Sequence, residues 1–422
     1  MQQVDLLVIN ATQLVTCASN KKAKRGASMR DIGIIETGAL AIDKGVLVGV
    51  GETAAIRAEY SAEEVIDARG KAIIPGLVDC HTHVPYAGNR YDEFEMRVQG
   101  RSYMDIMKAG GGIMSTVRKT REATLDDLVG LGKSRLQAML RLGTTTAELK
   151  TGYGLSTVAE AKLMQTICTL AEHQAVRIVP TYLGAHTIPP EFNTGEDYLE
   201  SIFADSLPAA KAICAQHNSP FFVDIFVEAG VFTLEHMQRY FEVAKQQGIA
   251  LKAHLDQFEH LGAVPIAVEL GATSVDHLEV TPIDDLTILA QSNTVGVMLP
   301  SVNFNLGIAK FGNARHLIDA GGILALATDY NPGSSPNISL PLVMAIACRF
   351  QKLSPAEALN ACTINAAVAL QLERQAGSLE VGKLADFVVL DTSDYRAMVV
   401  EFGRNFVEAV YIGGELIWKQ LS

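Results

Sequence analysis

The sequence predicts an α/β protein: a (β/α)8 TIM barrel with a small composite β-sandwich domain formed by the two ends of the chain. Three observations predict it. Eight short runs rich in Val, Ile, Leu and Ala alternate with stretches of helical periodicity. The chain ends instead carry short β-rich runs joined by turn-forming residues. His, Asp and Glu recur at the carboxyl ends of the eight runs, where a barrel of this type keeps its functional face.

In chain order, residues 1–72 contain DLLVIN, QLVTC and GALAIDKGVLVGVG, with IDKG as a hairpin turn. The barrel is expected over 73–376. Its strands are IIPGLVD (73–79), TTTAELK (144–150), RIVPTYL (177–183) and FFVDIFVE (221–228), then IALKAHL (249–255), TSVDHL (273–278), TVGVMLP (294–300) and GILALATD (322–329). Continuous apolar runs suit strands buried on both faces. LDDLVGLGKSRLQAMLRLG and TVAEAKLMQTICTLAEHQ are typical of the helices between them. Residues 377–422 return to the pattern of the start, with GSLEVGKLADFVVLD and VEAVYIGGELIWKQ, and IGGE as a second hairpin turn.

Composition narrows the function classes. Hydrophobic content of 48% with 19% charged residues describes a well-packed globular chain. A net charge of −12 disfavours a nucleic-acid surface, which needs a basic stripe. No run approaches the ~18 apolar residues of a membrane span, and no basic segment precedes the apolar start as in a signal peptide. Six cysteines are scattered without a CxxC pair, which reads as a reduced, cytoplasmic protein.

The chemistry starts at VDCHTH (78–83). Side chains alternate along a strand, so Asp79, His81 and His83 share one face and Cys80 and Thr82 the other. Cys80 then reads as a small buried hydrophobe. Further runs end in Glu148, Lys150 and Tyr153, in His186 and in Glu228. His254 and His277 lie in the fifth and sixth runs, and Asp329 closes the eighth. One histidine is most often structural; five with an aspartate on one rim point to a metal. Nitrogen ligands with a carboxylate suit Zn, and Fe also. Such an ion lowers the pKa of a water to about 7, and a nearby carboxylate serves as general base. His173, His217, His236, His260 and His316 fall in helices or loops and read as structural or surface residues. AGGGI (109–113) lacks a P-loop lysine and reads as a flexible loop at the site mouth.

The HxH of the first run, the later histidines and Asp329, with PGLVDCHTH and GKLADFVVLD where the β-domain is left and re-entered, resemble the amidohydrolase superfamily. HTHVPYAGNRYDEFEMRVQGRSY, AGGGIMSTVRKTREA, ELKTGYGL, YLGAHTIPPEF, ATSVDHLE and TDYNPGSS are together similar to the imidazolonepropionase family, over nearly the whole chain.

That resemblance implies hydrolysis of the ring amide of 4-imidazolone-5-propanoate to N-formimidoyl-L-glutamate in histidine degradation. It implies His81, His83, His254 and Asp329 as ligands of a divalent or trivalent ion, with His277 and Asp329 acting on the attacking water. Arg90 would take the propanoate carboxylate, helped by Tyr103; the plainer reading of Arg90 is an ion pair with Asp92 or Glu93. Tyr153 and His186 would contact the ring, His186 donating to its carbonyl, and Asn331, Gly333 and Ser334 would hold ring or product. Many two-metal relatives use a carboxylated lysine on strand four; Glu228 there implies a single ion, with Lys150 paired to Glu148 or Glu228 below it. The partner is thus a small anionic heterocycle, and the family implies a homodimer.

Two other readings compete. A deaminase of an amino-heterocycle would want a proton-shuttling Glu where Gln257 stands, three residues after His254, and Gln carries no titratable proton. A non-catalytic scaffold would be expected to have lost ligands, yet all four are present.

Overall fold

The computed structural model describes residues 1–101, 105, 109–215 and 219–420. Strands β1 (Gln2–Val15), β2 (Ile34–Asp43), β3 (Val46–Glu52), β4 (Tyr60–Asp67) and β5 (Ala72–Pro75) come from the N-terminal segment. DLLVIN and QLVTC are one long strand, bulged between Val8 and Ala11, with Asn10 at φ +59°. Its two faces feed separate apolar clusters, Leu6 and Val8 in one, Leu7 and Ile9 in the other.

The barrel strands follow. They are β6 (Leu77–Asp79), β7 (Thr144–Lys150), β8 (Arg177–Ala185), β9 (Phe222–Val227), β10 (Ala250–Leu255), β11 (Ser274–His277), β12 (Val295–Met298) and β13 (Leu324–Leu326). Each pairs in parallel with the next, as the sequence predicts. Two of the longer intervening helices start on side-chain caps: Thr124 caps Leu125–Leu140 and Ser156 caps Thr157–His173.

Finally β14 (Phe387–Leu390), β15 (Val407–Ile412) and β16 (Glu415–Lys419) return to the first sheet. β14 pairs antiparallel with β5, so the chain ends share one eight-stranded sheet apart from the barrel. Both expected hairpin turns are present. Lys44 and Gly45 have φ of +50° and +76°, and Gly413 and Gly414 +56° and +77°, the left-handed pairs that a two-residue hairpin requires.

The run 73–79 is not one strand. It breaks at Gly76: Ala72–Pro75 belong to the terminal sheet and only Leu77–Asp79 to the barrel. A Cβ at Gly76 would lie 2.1 Å from Thr145 Oγ1, so only glycine lets the chain cross between sheets here. The barrel closes just beyond its shortest strands. Asp329 N–H donates to His81 O (3.0 Å), His83 N–H to Tyr330 O (2.9 Å), and Thr328 donates through N–H and Oγ1 to the Asp79 carboxylate (3.1 and 2.6 Å). The seam that closes the barrel thus carries the HxH and the Asp. Among the described residues no helix is long and apolar enough to cross a membrane.

Candidate metal centre and active site

His81 and His83 leave the end of β6 on one face, as alternation demands, and meet Asp329 across the seam. Asp329 Oδ1 lies 3.5 Å from His81 Nε2 and 3.3 Å from His83 Nε2. The ring of His254 at the end of β10 lies 4.4 Å from that of His81, tilted by 57°, and His277 lies 5.2 Å from His254. One nitrogen from each of His81, His254 and His277 falls within a common 4.8 Å, as do donors from His81, His83 and Asp329. His81 Nε2 and His254 Nε2 are buried without a hydrogen-bond partner. Buried polar atoms are normally satisfied. Converging unpartnered imidazole nitrogens beside a carboxylate fit a single metal ion.

The other ring nitrogens explain the orientation. His81 Nδ1 is 2.6 Å from Asp276, His254 Nδ1 3.0 Å from Asp224, and His277 Nδ1 3.1 Å from Glu279. A carboxylate acceptor places the proton on Nδ1 and turns the Nε2 lone pair toward the centre. Burial works against the charge of Asp329, but its bonds to His81 and His83 hold it well below the usual carboxylate range. Ser334 Oγ donates to its second oxygen at 3.1 Å.

Three backbone positions are strained to achieve this. Asp276 and His277 are neighbours, which an ideal strand would turn to opposite faces. His277 adopts φ +86° and Leu278 +67°, and both Asp276 and His277 serve the site. Asp329 adopts φ +52°. Non-glycine residues held in this region mark places where the surrounding structure overrides local preference.

The centre opens into a cavity of about 370 Å³. It is lined by His83, His254, His277 and Asp329, and around them by Arg90, Tyr153, His186, Gln257, Asn331, Gly333 and Ser334. His81 is the described candidate that does not line it, being fully buried. Tyr103 lies outside the described residues. Arg90 Nε donates to Thr116 Oγ1 at 2.9 Å and lies 3.9 Å from Glu93, while its Nη1 sits against Gly333. The ion pair with Glu93 is therefore long, and the guanidinium is turned to the cavity wall.

Two placements differ from the expectation, and Lys150 adds a partner to the one expected. His186 Nδ1 contacts the Gly152 carbonyl at 3.0 Å, which can only accept, so in the neutral ring Nε2 is an acceptor and cannot donate to a ring carbonyl. Burial pushes the His186 pKa down to about 3, so the ring is neutral. Asn331 spends its side chain inside its own turn: Oδ1 accepts from Gly333 and Ser334 N–H (2.8 Å each), and Nδ2 donates to Asp329 O and Ser334 Oγ. The turn shapes Asp329 more than it offers free donors. Lys150 pairs with Glu148 (3.1 Å), one of the two partners expected for it, and also with Asp224 (2.6 Å). Glu228 instead accepts N–H bonds from Phe258 and Glu259, holding the loop that carries Gln257.

Sequence reading passed over Asp224, Asp276, Glu279 and Lys252. Two of them carry a signal: Asp224 lies two residues before a cavity residue, Phe226, and Lys252 two before His254, each on one strand face. Cys80 is buried in an apolar cluster, as expected. Among the five histidines set aside, His236, His260 and His316 bond locally to Thr233, Asp285 and Thr287, His173 is exposed, and His217 lies outside the described residues. Gly112, from AGGGI, donates its N–H to Glu93 at the cavity wall.

The model of the Amidohydrolase family matches residues 72–417. An imidazolonepropionase of Chloroflexus aggregans is 47% identical over 423 residues, covering 99% of both chains. The chain belongs to the imidazolonepropionase family of amidohydrolases. A second family relative, from Herpetosiphon aurantiacus, is 45% identical over 99% of this chain and 98% of its own. Among solved structures, a zinc-bound adenosine deaminase from Xanthomonas campestris superimposes with TM-score 0.74 at 20% identity, covering 98% of this chain and 93% of its own. Escherichia coli guanine deaminase does so with TM-score 0.71 at 19% identity, covering 98% and 99%. These likenesses establish the shared fold of the family member described here.

Proposed function

We propose that this protein opens the ring amide of 4-imidazolone-5-propanoate by metal-dependent hydrolysis, giving N-formimidoyl-L-glutamate in L-histidine degradation. The observation that carries the reading is the near-full-length identity, 39% to 47%, to relatives named imidazolonepropionase. The cavity supplies a chemistry consistent with it.

His81, His83, His254 and Asp329 are the residues we assign to one ion, Zn or Fe. The ion supplies Lewis acidity at a carbonyl and a water with pKa near 7. Arg90 binds the propanoate carboxylate as a planar, always-charged fork, with Tyr103 assigned beside it from sequence. Tyr153 and His186 flank the ring. With Nε2 as acceptor, His186 takes a ring N–H, and Gln257 orients a ring nitrogen or carbonyl. His277, with its proton held on Nδ1 by Glu279, presents a basic Nε2 to the cavity. His277 and Asp329 accept the proton of the attacking water and return it to the ring nitrogen as the ring C–N bond breaks, and the ring carbonyl carbon becomes the product's new carboxylate. A cytoplasmic homodimer completes the proposal, on the family resemblance.

The test follows absorbance loss of freshly prepared imidazolonepropionate with purified protein, before and after chelation and metal add-back. Metal-requiring loss with N-formimidoyl-L-glutamate as product is expected. Metal-loaded protein that leaves this substrate untouched but releases ammonia from an amino-heterocycle would overturn the proposal.

A further inference from the structure

Below the metal histidines the barrel interior is charged where such barrels usually hold apolar layers. Glu148 and Lys150 on β7, Asp224 on β9, Lys252 on β10 and Asp276 on β11 are all fully buried. Buried charges persist only when paired with good geometry, and here the pairing is complete. Lys150 Nζ lies 2.6 Å from Asp224, 3.1 Å from Glu148 and 3.6 Å from Asp276. Lys252 Nζ lies 2.8 Å from Glu148 and 3.1 Å from Cys80 O.

The oxygens divide their work. Asp224 gives Oδ2 to Lys150 and Oδ1 to His254 Nδ1. Asp276 gives Oδ2 to His81 Nδ1, within reach of Lys150, and Oδ1 to Ser274 Oγ. One ammonium therefore touches both carboxylates that orient two metal-facing imidazoles from different strands. Glu148 ties that ammonium to Lys252 and accepts from Thr181 Oγ1 at 2.5 Å.

We propose that Lys150 is a positioning residue of the metal centre: it anchors Asp224 and Asp276 together, and through them fixes His254 and His81 with Nε2 facing the ion. The inference rests on the reading that those two histidines hold the metal. It gives this lysine a role without any contact to ion or substrate. Outer partners of ligating histidines typically change metal affinity by about 10–100-fold.

The experiment titrates Zn²⁺ against a chromophoric chelator, using the full chain with folding checked by circular dichroism. Lys150→Met is expected to weaken zinc by about tenfold or more, and Lys252→Met, which lies 4.0 Å from Asp276, by less. In an Asp224→Asn background, Lys150→Met is expected to add less than its effect in the unaltered chain, since the anchored group is already changed; coupled residues depart from additivity. Should Lys150→Met fail to fold, Asp224→Asn alone decides: Asn presents one oxygen where Asp224 serves two partners, so weaker zinc binding is expected. Zinc affinity within twofold of the unaltered chain in Lys150→Met, or in Asp224→Asn, would overturn the inference, as would fully additive effects. Zinc binding unaffected by His81→Ala would overturn the metal assignment beneath it. No substrate enters the measurement, so a wrong substrate leaves the inference standing.

Discussion

His186 Nδ1 lies 3.0 Å from the carbonyl oxygen of Gly152, and that one contact fixes which nitrogen of the ring faces the cavity as an acceptor. Gln places its terminal amide near the Nε2 position and keeps an acceptor; Phe does not. His186→Gln is therefore expected to retain measurable turnover, while His186→Phe loses roughly 100-fold in kcat/KM, the lower range for a positioned polar group. Because the ring's pKa is about 3, it is neutral well above that pH. The acid limb of the kcat/KM profile should then be the same in His186→Gln as in the unaltered chain. A pH–rate profile of each variant checks both statements, and a missing acid limb in His186→Gln would refute the second.

Glu279 illustrates a partner that costs stability and supports catalysis. Burial raises its pKa above 4.5, against the opposing pull of His277. A carboxyl raised on folding binds its proton more tightly in the native state. Between about 4.5 and its folded value the native state holds more protons than the unfolded one, so stability falls as pH rises through that window. Glu279→Gln removes the titration and is expected to raise the unfolding temperature above the window and not below it. Gln still offers Oε1 to His277 Nδ1, so its kcat falls little. Glu279→Leu offers nothing and should lower kcat by about 10–100-fold. Melting curves across pH and steady-state kinetics at metal saturation separate the two effects.

Much of this architecture is legible in the sequence. Barrel strands buried on both faces are written as continuous apolar runs, and seven of the eight expected segments overlap a single strand; the first contains the crossing at Gly76. His81, His83 and Asp329 are readable because alternation and barrel topology place them without knowledge of neighbours. The floor of the site is not. Glu148 and Lys150 look like rim residues at a strand end; that Lys150 reaches Asp224 depends on the stagger of β7, β8 and β9. Asp276 is hidden for another reason: beside His277 it should face away, and only the left-handed backbone at His277 and Leu278 lets both residues serve the centre.

Gly333 is predicted to act through Arg90. A Cβ at position 333 would fall 2.4 Å from Arg90 Nη1. Gly333→Ala must push the guanidinium aside, so it should imitate the loss of Arg90. A hydrogen bond to a charged group is worth about 1.5–3 kcal/mol, roughly a 10–150-fold change in affinity. Arg90→Gln is expected to raise KM on that scale with a smaller fall in kcat, and Gly333→Ala to raise it part of the way. Kinetics with a substrate analogue lacking the carboxylate supply the control: both variants should match the unaltered enzyme there, and a difference that persists would assign the two residues to something other than the tail.

Asp329 combines ligand, base and backbone in one position, and two substitutions separate these. At φ +52° it occupies a region that Asn tolerates and Ala does not. Asp329→Asn should keep the fold of the turn, because Ser334 and Asn331 still find their partners, but it loses the charge that His81 and His83 face. Turnover is expected to fall by at least ~100-fold, with weakened metal retention after dialysis against chelator. Asp329→Ala should lose activity equally and, in addition, about 1–2 kcal/mol of stability from the left-handed backbone. The Asp329 pKa is depressed in the folded protein, so the stability this group contributes is present above about 3.8 and is lost as pH falls toward its folded value. In Asp329→Asn that acid-side loss should therefore be smaller than in the unaltered chain. Denaturant melts at pH 7 and pH 3.5 on metal-free protein test this directly: an acid sensitivity unchanged by Asp329→Asn would mean that the contacts of Asp329 with His81 and His83 do not hold its charge in the fold.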